Sequence, residues 1–126
     1  MIEIKFKAWN YNEKTMHHIV TGIEWLEQGV FVLADGVRGQ FGPVILLQYT
    51  GLHDRNGKEI YEGDIVDFTQ EQGEIFFENG RYMFRQTRAH SSLSIGDDSP
   101  SFFGNPDYSE IVGNRYENPN LIERSA

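Results

Sequence analysis

A mainly β chain is predicted, an N-terminal β element followed by a C-terminal small barrel. Three observations carry that prediction. Ile2, Ile4 and Phe6 alternate with Glu3, Lys5 and Lys7, the two-residue period of a half-buried strand. Strand-favouring aromatics are plentiful, nine Phe and six Tyr, with thirteen Gly and only four Pro to punctuate short strands. Asn79-Gly80 stands between two alternating apolar runs, the strongest short hairpin signal, because a type I′ turn needs two residues at positive φ.

The elements follow in order. After the first strand and Ala8-Trp9, Asn10 to Lys14 form a polar turn. Met16 to Trp25 are predicted as one strand with Ile19, Thr21, Ile23 and Trp25 on one face; a short helix over Ile23 to Gln28 is the alternative, poorly bracketed by Gly22 and Gly29. Val30 to Leu33 return after the Glu27-Gln28-Gly29 turn. Val44 to Tyr49 is a continuous apolar run, predicted to be buried on both faces. Residues 51–58 form a loop turning at Asn56-Gly57, and Gly63 to Phe68 open a new strand. Gly73 to Glu78 and Arg81 to Gln86 make the hairpin. Residues 90–107 are polar and turn-rich, a mobile loop. Glu110 to Tyr116 are the last strand, and Asn118-Pro119 reads as a cap and first position of one helical turn over 120–123.

The chain has 126 residues, room for one domain or two very small ones. The composition shifts near residue 50, since Glu59 to Glu78 holds seven acids and no base. The expected organisation is therefore an N-terminal β region over 1–50 and a barrel over 51–126, or one compact unit of both. A net charge of −8 and a pI near 4.9 argue against a surface that grips nucleic acid or anionic lipid throughout. With no cysteine, disulfides, Cys-ligated zinc and thiol nucleophiles are excluded. No run approaches the roughly 20 apolar residues of a membrane span. Met1 to Asn10 lacks the apolar run of a secretion signal, so a cytoplasmic location is expected.

A two-residue turn at Asn79-Gly80 fixes the hairpin register. Glu78 faces Arg81, Phe77 faces Tyr82, Phe76 faces Met83, Ile75 faces Phe84 and Glu74 faces Arg85. Ile75, Phe77, Tyr82 and Phe84 then share the core face, and Glu74, Glu78, Arg81 and Arg85 the other, with Phe76 and Met83 between them. Arg81, Arg85, Arg88 and His90 resemble a basic stripe with interleaved aromatics, which suits nucleic acid. The register sets two of those arginines opposite glutamates, each pair stabilising by about 0.2–1 kcal/mol, and turns Tyr82 and Phe84 inward.

Chemistry finds little to work with. His17 and His18 are adjacent on a strand and point to opposite faces, and His53-Asp54 is an isolated pair. Glu59, Glu62, Asp64, Asp67, Glu71, Glu74 and Glu78 could offer a carboxylate pair or a magnesium site, but they lack a matching base, nucleophile or phosphate cradle, and a solvated or docking face is the plainer reading. No glycine pattern makes a phosphate loop, and the loop serines lack a nucleophile elbow. No catalytic residue, metal site or cofactor is expected. Trp9, Trp25 and Tyr61 read as core; exposed on a rim, they would make a contact groove. The candidate binding residues are Trp9, Tyr61, Arg81, Arg85 and Arg88.

Residues 48–68, Gln-Tyr-Thr-Gly-Leu-His-Asp-Arg-Asn-Gly-Lys-Glu-Ile-Tyr-Glu-Gly-Asp-Ile-Val-Asp-Phe, resemble the YopX family of phage and prophage proteins. Ile4-Lys5-Phe6-Lys7-Ala8-Trp9, Gly73-Glu74-Ile75-Phe76-Phe77 and Ile111-Val112-Gly113-Asn114-Arg115-Tyr116-Glu117-Asn118-Pro119 agree in order, so the resemblance spans almost the whole chain. It implies a phage-encoded, all-β protein of the host cytoplasm with an SH3-like barrel in its C-terminal part, and it brings no activity, cofactor or catalytic residue. The resulting expectation is a non-enzymatic accessory protein that contacts a host or phage protein, with homo-oligomers in keeping. The alternatives are nucleic-acid binding through Arg81, Arg85, Arg88, Lys5 and Lys7, and a small magnesium-dependent hydrolase using the carboxylates.

Overall fold

The structure is a computed structural model that describes residues 3–68, 71–89, 101–102 and 106–122. The chain is mainly β and every strand pairing described is antiparallel. It divides into two compact units, Met1–Tyr49 and Thr50–Ala126.

In the N-terminal unit, β1 (Phe6–Asn10) lies between β2 (Thr15–His17) and the first residues of β5 (Ile45–His53). Ala8 faces His17 on one side and Leu46 on the other. The β1–β2 turn is closed by Asn10, whose Oδ1 accepts the N–H groups of Asn12 and Glu13 at 3.1 and 3.0 Å. β3 (Val20–Leu26) and β4 (Gly29–Ala34) form a separate hairpin. The core is built from small side chains, Ala8, Val32, Ala34 and Val44, with Val20, Ile23, Val30, Phe41 and Leu46 packed around them.

In the C-terminal unit, the end of β5 adjoins β6 (Glu59–Tyr61), and Thr50 Oγ1 donates to Ile60 O at 2.7 Å. A five-stranded sheet follows, built from β7 (Asp64–Asp67), β8 (Glu71–Glu78), β9 (Arg81–Ala89), β10 (Ser101–Phe102) and β11 (Glu110–Asn114), in the order β10-β9-β8-β7-β11. Its core holds Ile60, Val66, Ile75 and Phe84, with Leu52, Phe68, Tyr82 and Ile111 against it. Phe68 meets Phe84 edge to face at 5.3 Å, a favoured aromatic geometry.

Several expectations are corrected. The first strand begins at Phe6; Ile4 is 74% exposed and unpaired with a strand, and Ile2 lies outside the described residues. The predicted Met16–Trp25 strand is two strands, broken at His18-Ile19. There the Asp35 carboxylate takes the Ile19 N–H at 3.0 Å and the Asp35 N–H donates back to Ile19 O at 2.8 Å. A bulge between Val20 and Gly22 then shifts the alternation, which leaves Thr21 and Ile19 in solvent. Residues 23–28 are strand and turn, not helix. Val44–Tyr49 is covered on both faces except at Ile45: Val44, Leu46 and Gln48 are buried or half-buried on one, and Leu47 and Tyr49 are buried on the other. Its strand also runs on through His53, into what the sequence reads as loop. Within the predicted loop 90–107, Ser101 and Phe102 pair with Phe84 and Met83; residues 90–100 and 103–105 lie outside the described residues. Asn118 makes no side-chain cap on the Pro119–Leu121 turn; its Oδ1 accepts the Asn114 N–H behind it at 3.2 Å.

Candidate binding surfaces

The motif at 48–68 folds around Asp54, which is buried although it sits in a loop. Its Oδ1 accepts the N–H groups of Asn56 and Lys58, both at 2.9 Å, and its Oδ2 accepts that of Ile111 at 3.0 Å. Burial pushes the carboxyl up, but the N–H groups of Ile111, Lys58 and Asn56 outweigh it and hold Asp54 below its ordinary range. The loop is thus tied to β11, and two further links repeat the tie. Arg55 N–H donates to Ser109 O at 2.9 Å, and its guanidinium meets Glu110 at 2.7 Å.

The second motif, Tyr61-Glu62-Gly63-Asp64, meets the last one, Gly113 to Asn118, along a seam. Gly63 N–H donates to Ile75 O at 2.7 Å, and Gly63 O accepts Arg115 N–H at 2.9 Å. Gly63 has φ +86°, and a Cβ there would lie 2.8 Å from the Tyr116 ring, so both conformation and space require glycine. Asp64 turns inward and accepts Tyr61 N–H at 2.8 Å. Asn114 Oδ1 accepts the N–H groups of Tyr116 and Glu117 at 3.0 and 2.8 Å. Arg115 Nη1 lies 3.1 Å from Glu74 Oε2, an ion pair whose angle falls outside that of a hydrogen bond. Burial raises the Tyr116 hydroxyl; Arg115 opposes this, while Glu74 and Glu62 add to it. Burial, then Glu62, likewise raises Tyr82. These motif side chains fix backbone; outward, the loop presents Arg55, Asn56 and Lys58.

The β8–β9 hairpin has the predicted register from Glu78↔Arg81 to Glu74↔Arg85. Ile75 and Phe84 are buried and Tyr82 is half-buried, but Phe77 stands half exposed at the tip, edge to face with Tyr82 at 5.0 Å. The outer face differs from expectation. Glu74 is 4% exposed and faces Arg115, while the Arg85 guanidinium lies 4.4 Å over the Phe76 ring. Arg81 is exposed opposite Glu78. The Arg88 backbone pairs with Gln72 beyond a bulge; its side chain and all of His90 lie outside the described residues.

The remaining two candidates, Trp9 and Tyr61, are 8% and 5% exposed. Both are buried and form no exposed rim; their neighbours Ala8 and Ile60 are the residues that join the core clusters of the two units, each its own, so these strands are covered on both faces. Trp25, which the sequence reads as core, is the exposed tryptophan at 70%. It faces Val30 just before the two-residue turn at Glu27-Gln28. Leu26 and Leu33 are exposed on the opposite face of the same hairpin. At its base, buried His17 sets Nδ1 3.0 Å from Asp35 Oδ2 and stacks on Phe41 at 4.4 Å, with Nε2 left unpartnered. The acids of 59–78 do not make one solvated face: Asp64 and Glu74 are buried. Among the described residues no three His, Asp or Glu side chains gather to hold a metal ion, and no helix is long and apolar enough to cross a membrane.

Two antiparallel β units, whose loops are laced by buried carboxylate and amide side chains, define the class: an all-β protein whose sequence motifs are fold-fixing. A family model described as YopX protein matches residues 5–123, and the chain belongs to the YopX family. The crystal structure of protein EF1440 from Enterococcus faecalis is similar over 98% of this chain and 100% of that one, with 24% identity and a TM-score of 0.62, and shares the fold. No curated protein matches the chain.

Proposed function

We propose that this chain is a non-enzymatic binding module that contacts a protein through the tip of the β3–β4 hairpin. One observation carries the reading. Of the eleven large apolar side chains exposed among the described residues, eight lie in the N-terminal unit, with Trp25, 70% exposed, at the hairpin end. Tryptophan is among the residues enriched at the hot spots of protein interfaces, and a large ring left in water is suited to such a contact. The N-terminal unit has five acids and four bases, so its surface is close to neutral and suits an apolar contact. The C-terminal unit has fourteen acids and seven bases, which disfavours phosphate and favours protein. We read that unit as an SH3-like small barrel; five antiparallel strands and the tight turn at Gly63 support it. We read the whole as a phage-encoded accessory protein of the host cytoplasm, from family membership alone.

The test is a pull-down with the tagged chain and its Trp25→Ala variant from infected-host lysate, each with and without nuclease. The expected result is a protein retained after nuclease treatment and lost with Trp25→Ala. Enrichment that vanishes with nuclease, and with Arg85→Glu but not Trp25→Ala, overturns the reading in favour of nucleic acid.

A further inference from the structure

The outer edge of β3 has a specific pattern of free backbone groups. On β4, Val32 N–H donates to Phe41 O at 2.9 Å and Val32 O accepts Phe41 N–H at 2.8 Å. Val30 O accepts Val44 N–H at 2.9 Å. Val32 and Val30 therefore point their backbone groups away from β3. Opposite residues of an antiparallel pair share this orientation, so Ile23 and Trp25, which face them, point theirs away from β4. Among the described residues nothing pairs with that edge.

We propose that this edge pairs antiparallel with β3 of a second copy, about a two-fold axis at Ile23. The proposal rests on the binding-module reading and names the occupant of the same hairpin. With its axis at Ile23 the register matches the free groups without a charge conflict, and it keeps the axis off the Val20–Gly22 bulge. Two N–H···O=C bonds then form between Ile23 and Ile23 of the second copy. Trp25 falls opposite Thr21 of the second copy, an aromatic on a β-branched residue, and Val20 falls opposite Leu26 of the second copy. Glu24 falls opposite Gly22 of the second copy, which has no side chain to oppose it. The neighbouring register, with its axis at Glu24, sets two carboxylates face to face and is disfavoured. Charge agrees at larger scale: two near-neutral N-terminal units can meet where two strongly acidic C-terminal units would repel. The bulge at Val20–Gly22 limits the pairing to a short stretch, so the dimer is weak and reversible.

The chain has no cysteine, so introduced thiols report without background. Sedimentation equilibrium of the wild-type chain is expected to show a mass rising with concentration from 14.5 kDa toward twice that value. Differently tagged Gly22→Cys and Glu24→Cys chains, mixed and oxidised, are expected to give the mixed disulfide in excess of either self-linked product. Non-hydrogen-bonded antiparallel neighbours lie about 4.5 Å apart at Cα, within reach of a disulfide. Self-linked Glu24→Cys in excess overturns the register. A wild-type chain that stays at 14.5 kDa up to about 0.5 mM overturns the dimer, at an affinity too weak to matter. That second outcome leaves the protein-binding reading standing, which the Trp25→Ala pull-down decides separately.

Discussion

The two units use the same antiparallel strands and opposite strategies for their side chains. The C-terminal unit places acids inside: Asp54, Asp64 and Glu74 are buried, and the first two hold backbone N–H groups. A carboxylate only accepts, so it is well matched to the donors that a tight loop leaves unpaired. The N-terminal unit places small residues inside, Ala8, Val32, Ala34 and Val44, and leaves Trp25, Leu26 and Leu33 in water. High acid content therefore marks the unit with the more tightly tied loops, and the near-neutral unit carries the exposed contact surface. Counting charges alone would have assigned the solvated face to the wrong set of residues.

The largest expected difference is between two aromatics. Phe84→Ala removes a buried ring from the C-terminal core and should cost about 3–5 kcal/mol. Trp25→Ala removes a larger ring from the surface and should change stability by about 0.5 kcal/mol or less. Urea unfolding of both variants measures the contrast. A loss with Trp25→Ala comparable to that with Phe84→Ala would mean that the N-terminal hairpin tip is structural. Next in size is Asp54→Ala, which leaves three backbone donors without their acceptor and should cost about 3 kcal/mol. Asn10→Ala, which frees two donors at an exposed turn of the N-terminal unit, should cost about 1 kcal/mol. Equal small effects would free Asp54 for a role in binding.

These contrasts also show which parts of the molecule the sequence made legible. The β8–β9 hairpin was readable pair by pair from Glu78↔Arg81 to Glu74↔Arg85, because the Asn79-Gly80 turn sets the register; the bulge between Gln72 and Gly73 beyond it was not. The break between β2 and β3 was not, because it depends on Asp35, sixteen residues beyond Ile19 in the chain. Glu74 looked like a partner for Arg85 across the strands, yet it pairs with Arg115, which no local period can reveal. Trp9 and Trp25 are the same residue type in similar strand contexts. Both are the last residue but one of a strand that ends in a turn. What differs is that β1 lies between β2 and β5 while β3, among the described residues, has only β4 beside it, which no local pattern reveals.

Titration sharpens the comparison in two directions. Asp54 has a folded value below its unfolded one, so its contribution is complete above about pH 4 and is lost as pH falls through the folded value. Asp35 in the N-terminal unit is shifted the same way, burial opposing and the His17 and Ile19 hydrogen bonds prevailing. Both units should therefore loosen in acid, and the gap between wild type and Asp54→Asn should close there. Tyr116 and Tyr82 are raised, so their contribution is complete below about pH 10 and is lost as pH rises through the folded values. Hydrogen exchange read on peptides of each unit should show alkaline loosening of the C-terminal unit, reduced by Tyr116→Phe. Unchanged alkaline loosening in that variant would place the responsible group elsewhere.

The smallest effect bears on the outer face of the hairpin. Arg85 has two available partners by position, Glu74 across the strand and Phe76 beneath its guanidinium. An exposed cation over an aromatic face contributes about 0.5–1 kcal/mol. A double-mutant cycle of Arg85→Ala with Phe76→Leu should recover about that coupling. The parallel cycle with Glu74→Gln should recover close to nothing, because the Glu74 carboxylate faces Arg115. If the Glu74 cycle carries the coupling instead, Arg85 is bound into the sheet as an ion pair and the C-terminal unit neutralises its own arginines. If the Phe76 cycle carries it, the guanidinium keeps its hydrogen-bonding edge open to solvent. This face of the C-terminal unit would then be a second contact surface in its own right.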